Sequence, residues 1–172
     1  MENSTKSHSN KDYISLNNLI EKSSISGVNV KPGFQVHNIL NPNNNIPLES
    51  DVDEQIIFNI TFSQPIKLHS IKIESAESNA PRDIRLYSNI ITLGFEDVDD
   101  TPATQKLTIH EDFYNSGEAV PLQFVKFQNV KTLSIFIENN LEEGDVTSLQ
   151  RLTFLGQSIH QTNMSLLGKD EE

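Results

Sequence analysis

Apolar side chains fall on every second position between residues 56 and 62: Ile56, Phe58, Ile60 and Phe62. A period of two puts all four on one face of a β-strand. Runs rich in Val, Ile, Leu and Phe predict further strands, giving 55–62, 66–74, 83–87, 105–110, 122–128, 132–138 and 150–155, with a short one at 34–39. Asn, Asp, Gly and Pro mark the turns between them, at Ser63–Pro65, Ala80–Pro81, Asp99–Pro102, Asn115–Gly117 and Glu142–Asp145. Ile14, Leu16, Leu19 and Ile20 contain i, i+3, i+4 spacing, which predicts one short N-terminal amphipathic helix. Residues 1–12 read as a disordered tail and 41–47, NPNNNIP, as a loop. Many short strands and almost no helix point to a two-sheet sandwich or a barrel.

Two irregularities refine the pattern. In IKLHSIKI (66–73) the apolar phase runs through Ile66 and Leu68, then shifts to Ile71 and Ile73, which predicts a β-bulge near His69–Ser70. In LQFVKFQ (122–128), Leu122 and Phe124 share one face while Val125 and Phe127 fill the other. Such a strand is buried on both faces or offers its second face to a partner, and burial within the fold is the expected case.

A length of 172 residues argues for one domain able to bury roughly 70% of its unfolded surface, so the fold needs no disulfide or metal. There is no cysteine, which excludes thiolate zinc sites, iron–sulfur clusters and CxxC redox chemistry. The net charge of −11 opposes nucleic-acid binding and docking on anionic lipid, and favours basic protein surfaces. No apolar run approaches the ~20 residues of a membrane span. The polar start MENSTKSHSNKD has no apolar core of a signal peptide, so a cytoplasmic or nuclear location is expected.

Glu49, Asp51, Asp53 and Glu54 run straight into the first strong strand. Asp51, Asp53 and Gln55 match the first three ligand positions of an EF-hand loop, but Ile56 stands where Gly is required and Phe62 where the bidentate carboxylate belongs. The cluster is therefore a solvated or backbone-capping turn, with an irregular Ca²⁺ site as the alternative. Glu96, Asp97, Asp99 and Asp100 read as a flexible solvated loop, and Glu142, Glu143 and Asp145 read in the same way. The five His residues are scattered, and HExxH, GxSxG, P-loop and GxGxxG motifs are absent. No catalytic residue, metal ligand or cofactor site is assigned. In the polar C-terminal segment, Met164 is expected to tuck back onto the sandwich, with Thr162, Asn163 and Met164 as a second candidate contact, and the final five residues mobile.

Several segments together resemble the PITH domain, the module attached to thioredoxin-like proteins that bind the proteasome. They are LESDVDEQ (48–55), QPIKLHSIKI (64–73), APRDIRLY (80–87), PLQFVKFQNV (121–130), LSIFIEN (133–139) and LTFLGQ…TNM (152–164). The resemblance implies an all-β jelly-roll sandwich, galactose-binding-like in type, over 13–167, with 1–12 and 168–172 as tails. It implies a non-enzymatic, monomeric module docking on the regulatory particle of the 26S proteasome. With no cysteine, the chain is more similar to PITH proteins without a thioredoxin domain. The candidate contacts are Glu49, Asp51, Asp53 and Glu54, then Thr162–Met164. A small-ligand or Ca²⁺-binding sandwich of galactose-binding-like type is the alternative.

Overall fold

The computed structural model describes residues 13–159. Its strands, in chain order, are β1 (Ile14–Ser15), β2 (Ser26–Val28), β3 (Leu48–Glu49), β4 (Ile56–Glu74), β5 (Asp83–Ser88), β6 (Gln105–Thr108), β7 (Val120–Pro121), β8 (Val130–Ile137), β9 (Ser148–Leu149) and β10 (Arg151–Ser158). A short helix, α1 (Glu111–Ser116), lies between β6 and β7.

β4 organises the fold. Its 19 residues replace the two strands expected at 55–62 and 66–74. The first part pairs with β2 and β8, with Phe58 opposite Gly27 and Ile135. The second pairs with β10 and β7, with Ile71 opposite Phe154 and Val120. Between them the register against β8 jumps from Thr61↔Thr132 to Ile66↔Val130, so Phe62–Pro65 lie opposite Lys131 alone. Pro65 cannot donate to a ladder, so the irregularity falls where a proline can be housed. The strand carries the chain between two sets of partners, and the sheet β1-β10-β4-β8-β5-β6 curls around a core, with β3–β9 as a separate two-stranded ladder. This is the jelly-roll β-sandwich that the family resemblance implied, one of the forms the strand pattern allowed.

Ile56, Phe58, Ile60 and Phe62 are all buried on the inner face, as their spacing requires. The predicted bulge is also present. Ser70 pairs with Leu155 and Leu68 with Gly156, so His69 is the extra residue. Burial passes from Ile66 and Leu68 to Ile71 and Ile73 across it. A Cβ on Gly156 would overlap the Lys67 carbonyl, so a glycine lets the strands stay close at the bulge.

Three expectations are corrected. Residues 14–20 form β1 and a 3₁₀ turn at Asn17–Leu19, because the Leu16 amide donates to the Phe154 carbonyl and draws the segment to the sheet edge. Residues 34–39 are not a strand: Val36–Leu40 is a 3₁₀ turn that buries Ile39 and Leu40. The predicted strand 122–128 is a turn in which Leu122 and Phe127 are buried, while Val125 is 82% exposed. The Lys126 and Phe127 amides close on the Gln123 and Phe124 carbonyls, which swings Val125 outward.

Outside the main core, a second cluster on the outer face of the sheet joins Ile57, Tyr87, Leu93, Val98 and Phe136.

Candidate functional site

The acidic run before β4 is shaped by a residue from another loop. Asn29, with φ of 67°, donates through Nδ2 to Asp53 Oδ1 (2.8 Å) and to the Gln55 carbonyl (2.6 Å). Its Oδ1 accepts the Val52 amide at 2.9 Å. Asp53 Oδ1 also accepts the Gln55 amide at 3.1 Å. Asp53 is thus committed to the turn. Asp51 stays exposed, Glu54 is half-buried, and among the described residues Glu49 pairs with Lys31 Nζ, at 3.5 Å.

The third acidic group is built in the same manner on buried Asn140. Its Oδ1 accepts the Glu142 and Gly144 amides, each at 3.1 Å. Its Nδ2 donates to the Gly144 and Val146 carbonyls. The two loops are sewn together: the Ser50 amide donates to the Thr147 carbonyl, the Thr147 amide to Ser50 Oγ, and Thr147 Oγ1 to the Glu54 carbonyl at 2.7 Å. Ile56 and Ile84 both register with Ile137, so Asp83 lies at this end too. The first and third groups therefore form one acidic end of the sandwich. Beside it runs a groove of about 440 Å³ lined by Ser75, Glu77, Ala80, Glu111, Tyr114 and Glu142.

The second acidic group is solvated as expected, with Glu96, Asp99 and Asp100 exposed, but it is anchored by buried apolar residues. It leaves β5 at the opposite end and folds across the outer face, where Leu93 and Val98 are buried. Asn59 clamps Leu93 twice, accepting its amide at 3.0 Å and donating to its carbonyl at 3.2 Å. Arg85 Nη1 and Tyr87 OH both donate to the Val98 carbonyl. Arg85 also forms a bidentate pair with Glu138, at 3.0 and 3.2 Å, and lies over the Phe136 ring. Leu93 and Val98, with Phe95 packed against the cluster, anchor the loop that carries the carboxylates.

The perturbed titratable groups are structural. The Arg151 hydrogen bond holds Glu74 below the ordinary carboxylate value, against the opposing effect of burial. Burial pushes Asp83 up, but hydrogen bonds from Asn139, Thr108 and Arg82 outweigh it and leave its pKa lowered. Burial lowers His69. His69 Nδ1 meets Ser70 Oγ at 3.2 Å, but Ser70 is 4% exposed, so the bond settles the ring and offers no hydroxyl to solvent. Among the described residues, no group of three or more His, Asp or Glu is placed to hold a metal ion. The sequence singled out Glu49, Asp51, Asp53 and Glu54, and the structure brings them beside Glu142–Asp145. Thr162, Asn163 and Met164, like the tails expected at 1–12 and 168–172, lie outside the described residues. The organising Asn29, Asn59 and Asn140 escaped sequence reasoning; only an outward polar residue in the apolar strand marks Asn59.

The sequence matches the family model described as the PITH domain over residues 6–171. The chain belongs to the PITH domain family. Thioredoxin-like protein 1 of Schizosaccharomyces pombe is 35% identical over 168 residues, 94% of this PITH chain and 57% of that protein. PITH domain-containing protein 1 of Homo sapiens is 35% identical over 94 residues, 54% of this chain and 44% of that protein. The chain thus spans about half the length of these relatives. A family 32 CBM from C. perfringens NanJ, solved with galactose, shares the PITH fold with a TM-score of 0.61 at 10% identity, covering 83% of this chain and 98% of that one. At that identity the likeness speaks for the fold alone.

Proposed function

We propose that this PITH domain is a non-enzymatic interaction module that associates with the regulatory particle of the 26S proteasome in the cytoplasm or nucleus, acting as a monomer. Family membership over residues 6–171 carries the reading. The similarity to Thioredoxin-like protein 1 supports it. The acidic end supplies the contact: Asp51 and Glu54, with Glu49 and the neighbouring Glu142, Glu143 and Asp145, meet a basic patch on the partner. Asp53 holds the loop in shape. Opposite charge at a rim raises the association rate and makes binding salt-dependent.

The test is a pull-down of regulatory-particle subunits from lysate at low and at moderate salt, with wild type and an Asp51→Asn/Glu54→Gln variant. Enrichment at low salt, reduced by added salt and by the variant, is expected. No enrichment at either salt sinks the reading.

A further inference from the structure

The acidic end has a counterpart of opposite chemistry. On both sides of the bulge, inward positions of β4 and β10 fill the core, and the outward ones share a face. In register these outward residues are Lys67, Lys72 with Thr153, Ser70 with Leu155, and Glu74 with Arg151. Glu74 is the only carboxylate on the outward positions of these two strands, and Arg151 neutralises it at 3.1 Å. Lys67 and Lys72 enter no ion pair among the described residues. In a chain of net charge −11, this face is positive.

The same face carries an aromatic cluster. The bulge at His69 turns its ring onto Tyr13, stacked at 3.8 Å between centroids with 17° between planes. Phe124 meets the two rings edge-on, at 5.9 Å from His69 and 6.1 Å from Tyr13. Tyr13, His69 and Phe124 are all half-buried, while Val125, next to Phe124 in the same turn, is exposed. Three segments distant in sequence therefore bring rings together beside the outward lysines of β4, with exposed Val125 next to Phe124. Rigid aromatic groups rimmed by one sign of charge make a good anchor for binding, because they lose little conformational freedom and the charges steer the encounter.

We propose that the outward face of β4 and β10, with the Tyr13–His69–Phe124 cluster, is a second docking surface, and that its partner is an acidic protein segment bearing an aromatic or aliphatic side chain. The apolar side chain packs beside the rings and Val125, while the carboxylates meet Lys67 and Lys72. This surface is independent of the acidic end, so the module engages two partners, or two sites of one partner, through surfaces of opposite sign.

The test uses the full chain and a short labelled peptide of Glu and Asp carrying one Phe and one Leu, with a Lys-for-acid peptide as control. Binding is read by fluorescence anisotropy and by amide chemical-shift mapping. The acidic peptide should shift Lys67, His69, Lys72, Thr153 and Leu155 and leave 49–54 unmoved. Lys67→Glu/Lys72→Glu should raise Kd by about tenfold or more, and raising salt past a Debye length of ~10 Å should weaken binding further. Tyr13→Ala should raise Kd roughly fivefold with melting temperature nearly unchanged. Absence of shifts on this face, or equal binding of the control peptide, overturns the proposal. So does a dimer in sedimentation velocity that the lysine reversal abolishes, because the occupant is then a second copy. Loss of proteasome enrichment in the Asp51→Asn/Glu54→Gln variant leaves these shifts intact, so the two readings fail separately.

Discussion

Replacing Gly156 by Ala tests the bulge that sets the geometry of the β4–β10 pair. The added Cβ would overlap the Lys67 carbonyl oxygen, lie 3.0 Å from the Lys67 carbonyl carbon and 3.0 Å from Leu16 Cδ1. Two of these atoms are backbone in the central strand, so no side-chain rotation relieves the overlap. β10 must move away from β4 beside the bulge, where Gly156 pairs with Leu68 and Gln157 with Lys67. Overpacking a tight site costs about 1–3 kcal/mol. Stretching one ladder hydrogen bond adds about 1 kcal/mol. Unfolding should therefore become easier by about 2–4 kcal/mol, a shift of several degrees in melting temperature for a domain this size. Urea titration should show a lower midpoint with an unchanged slope, because the surface exposed on unfolding is the same. Gly144→Ala is the control: its Cβ meets nothing within 4 Å, and it should stay within about 0.5 kcal/mol of wild type. Should Gly156→Ala behave like Gly144→Ala, the bulge does not depend on the missing side chain, and the reading of the β4–β10 contact is wrong.

Asn59→Ala removes both clamps on Leu93 and the acceptor for Ser134 Oγ, and should destabilise by about 1–3 kcal/mol while hydrogen exchange rises across residues 89–104. Exchange unchanged in that segment would show that Leu93 and Val98 hold the loop without the amide. Asp83 and Glu74 have folded pKa values below their ordinary 3.8 and 4.5, so their contribution is complete above those values and is lost as pH falls through the lowered ones. Acid titration of Asp83→Asn and Glu74→Gln should therefore show a shallower fall in stability below about pH 4 than wild type, and equal slopes would refute the assignment. Phe127→Ala should cost about 3–5 kcal/mol, whereas Val125→Ser should stay within about 0.5 kcal/mol, both read from denaturant midpoints.

The parts of the fold legible in the sequence were those where one side-chain period governs a whole segment. Ile56–Phe62 alternated and is buried accordingly; the phase change between Leu68 and Ile71 located the bulge at His69–Ser70, and the extra residue is His69. Segments misread were those whose apolar residues serve two different supports. Leu122 is held by the His69 carbonyl while Phe127 packs beside β4, and the intervening turn only imitates alternation. Leu16 and Ile20 look helical in spacing because Leu16 docks on β10 and Ile20 bridges to Phe62. The helix α1 gave little signal: it has six residues, its N-terminus lacks a side-chain cap, and Tyr114 anchors it by donating to the Pro81 carbonyl.

The acidic loops were legible as composition but not as structure, and the reason bears on function. Each is ordered by a neutral amide: Asn29 for the first, Asn59 for the second, Asn140 for the third. A cation-organised loop would turn its carboxylates inward on the ion. Here the amides fill the inward role, and the turns hold without drawing on most of the carboxylates. Asp51, Glu142, Glu143 and Asp145 consequently remain exposed at one end of the sandwich. Negative charge fixed on a rigid loop adds to the long-range field without a further ordering cost when a partner arrives. The arrangement therefore favours steering a basic partner over chelating a metal. The same logic predicts that Asn140→Ala weakens partner binding although it removes no charge, because the loop that presents Glu142–Asp145 loses the side chain that holds it. Pull-down enrichment equal to wild type in a folded Asn140→Ala protein would show that the presentation of these charges is immaterial.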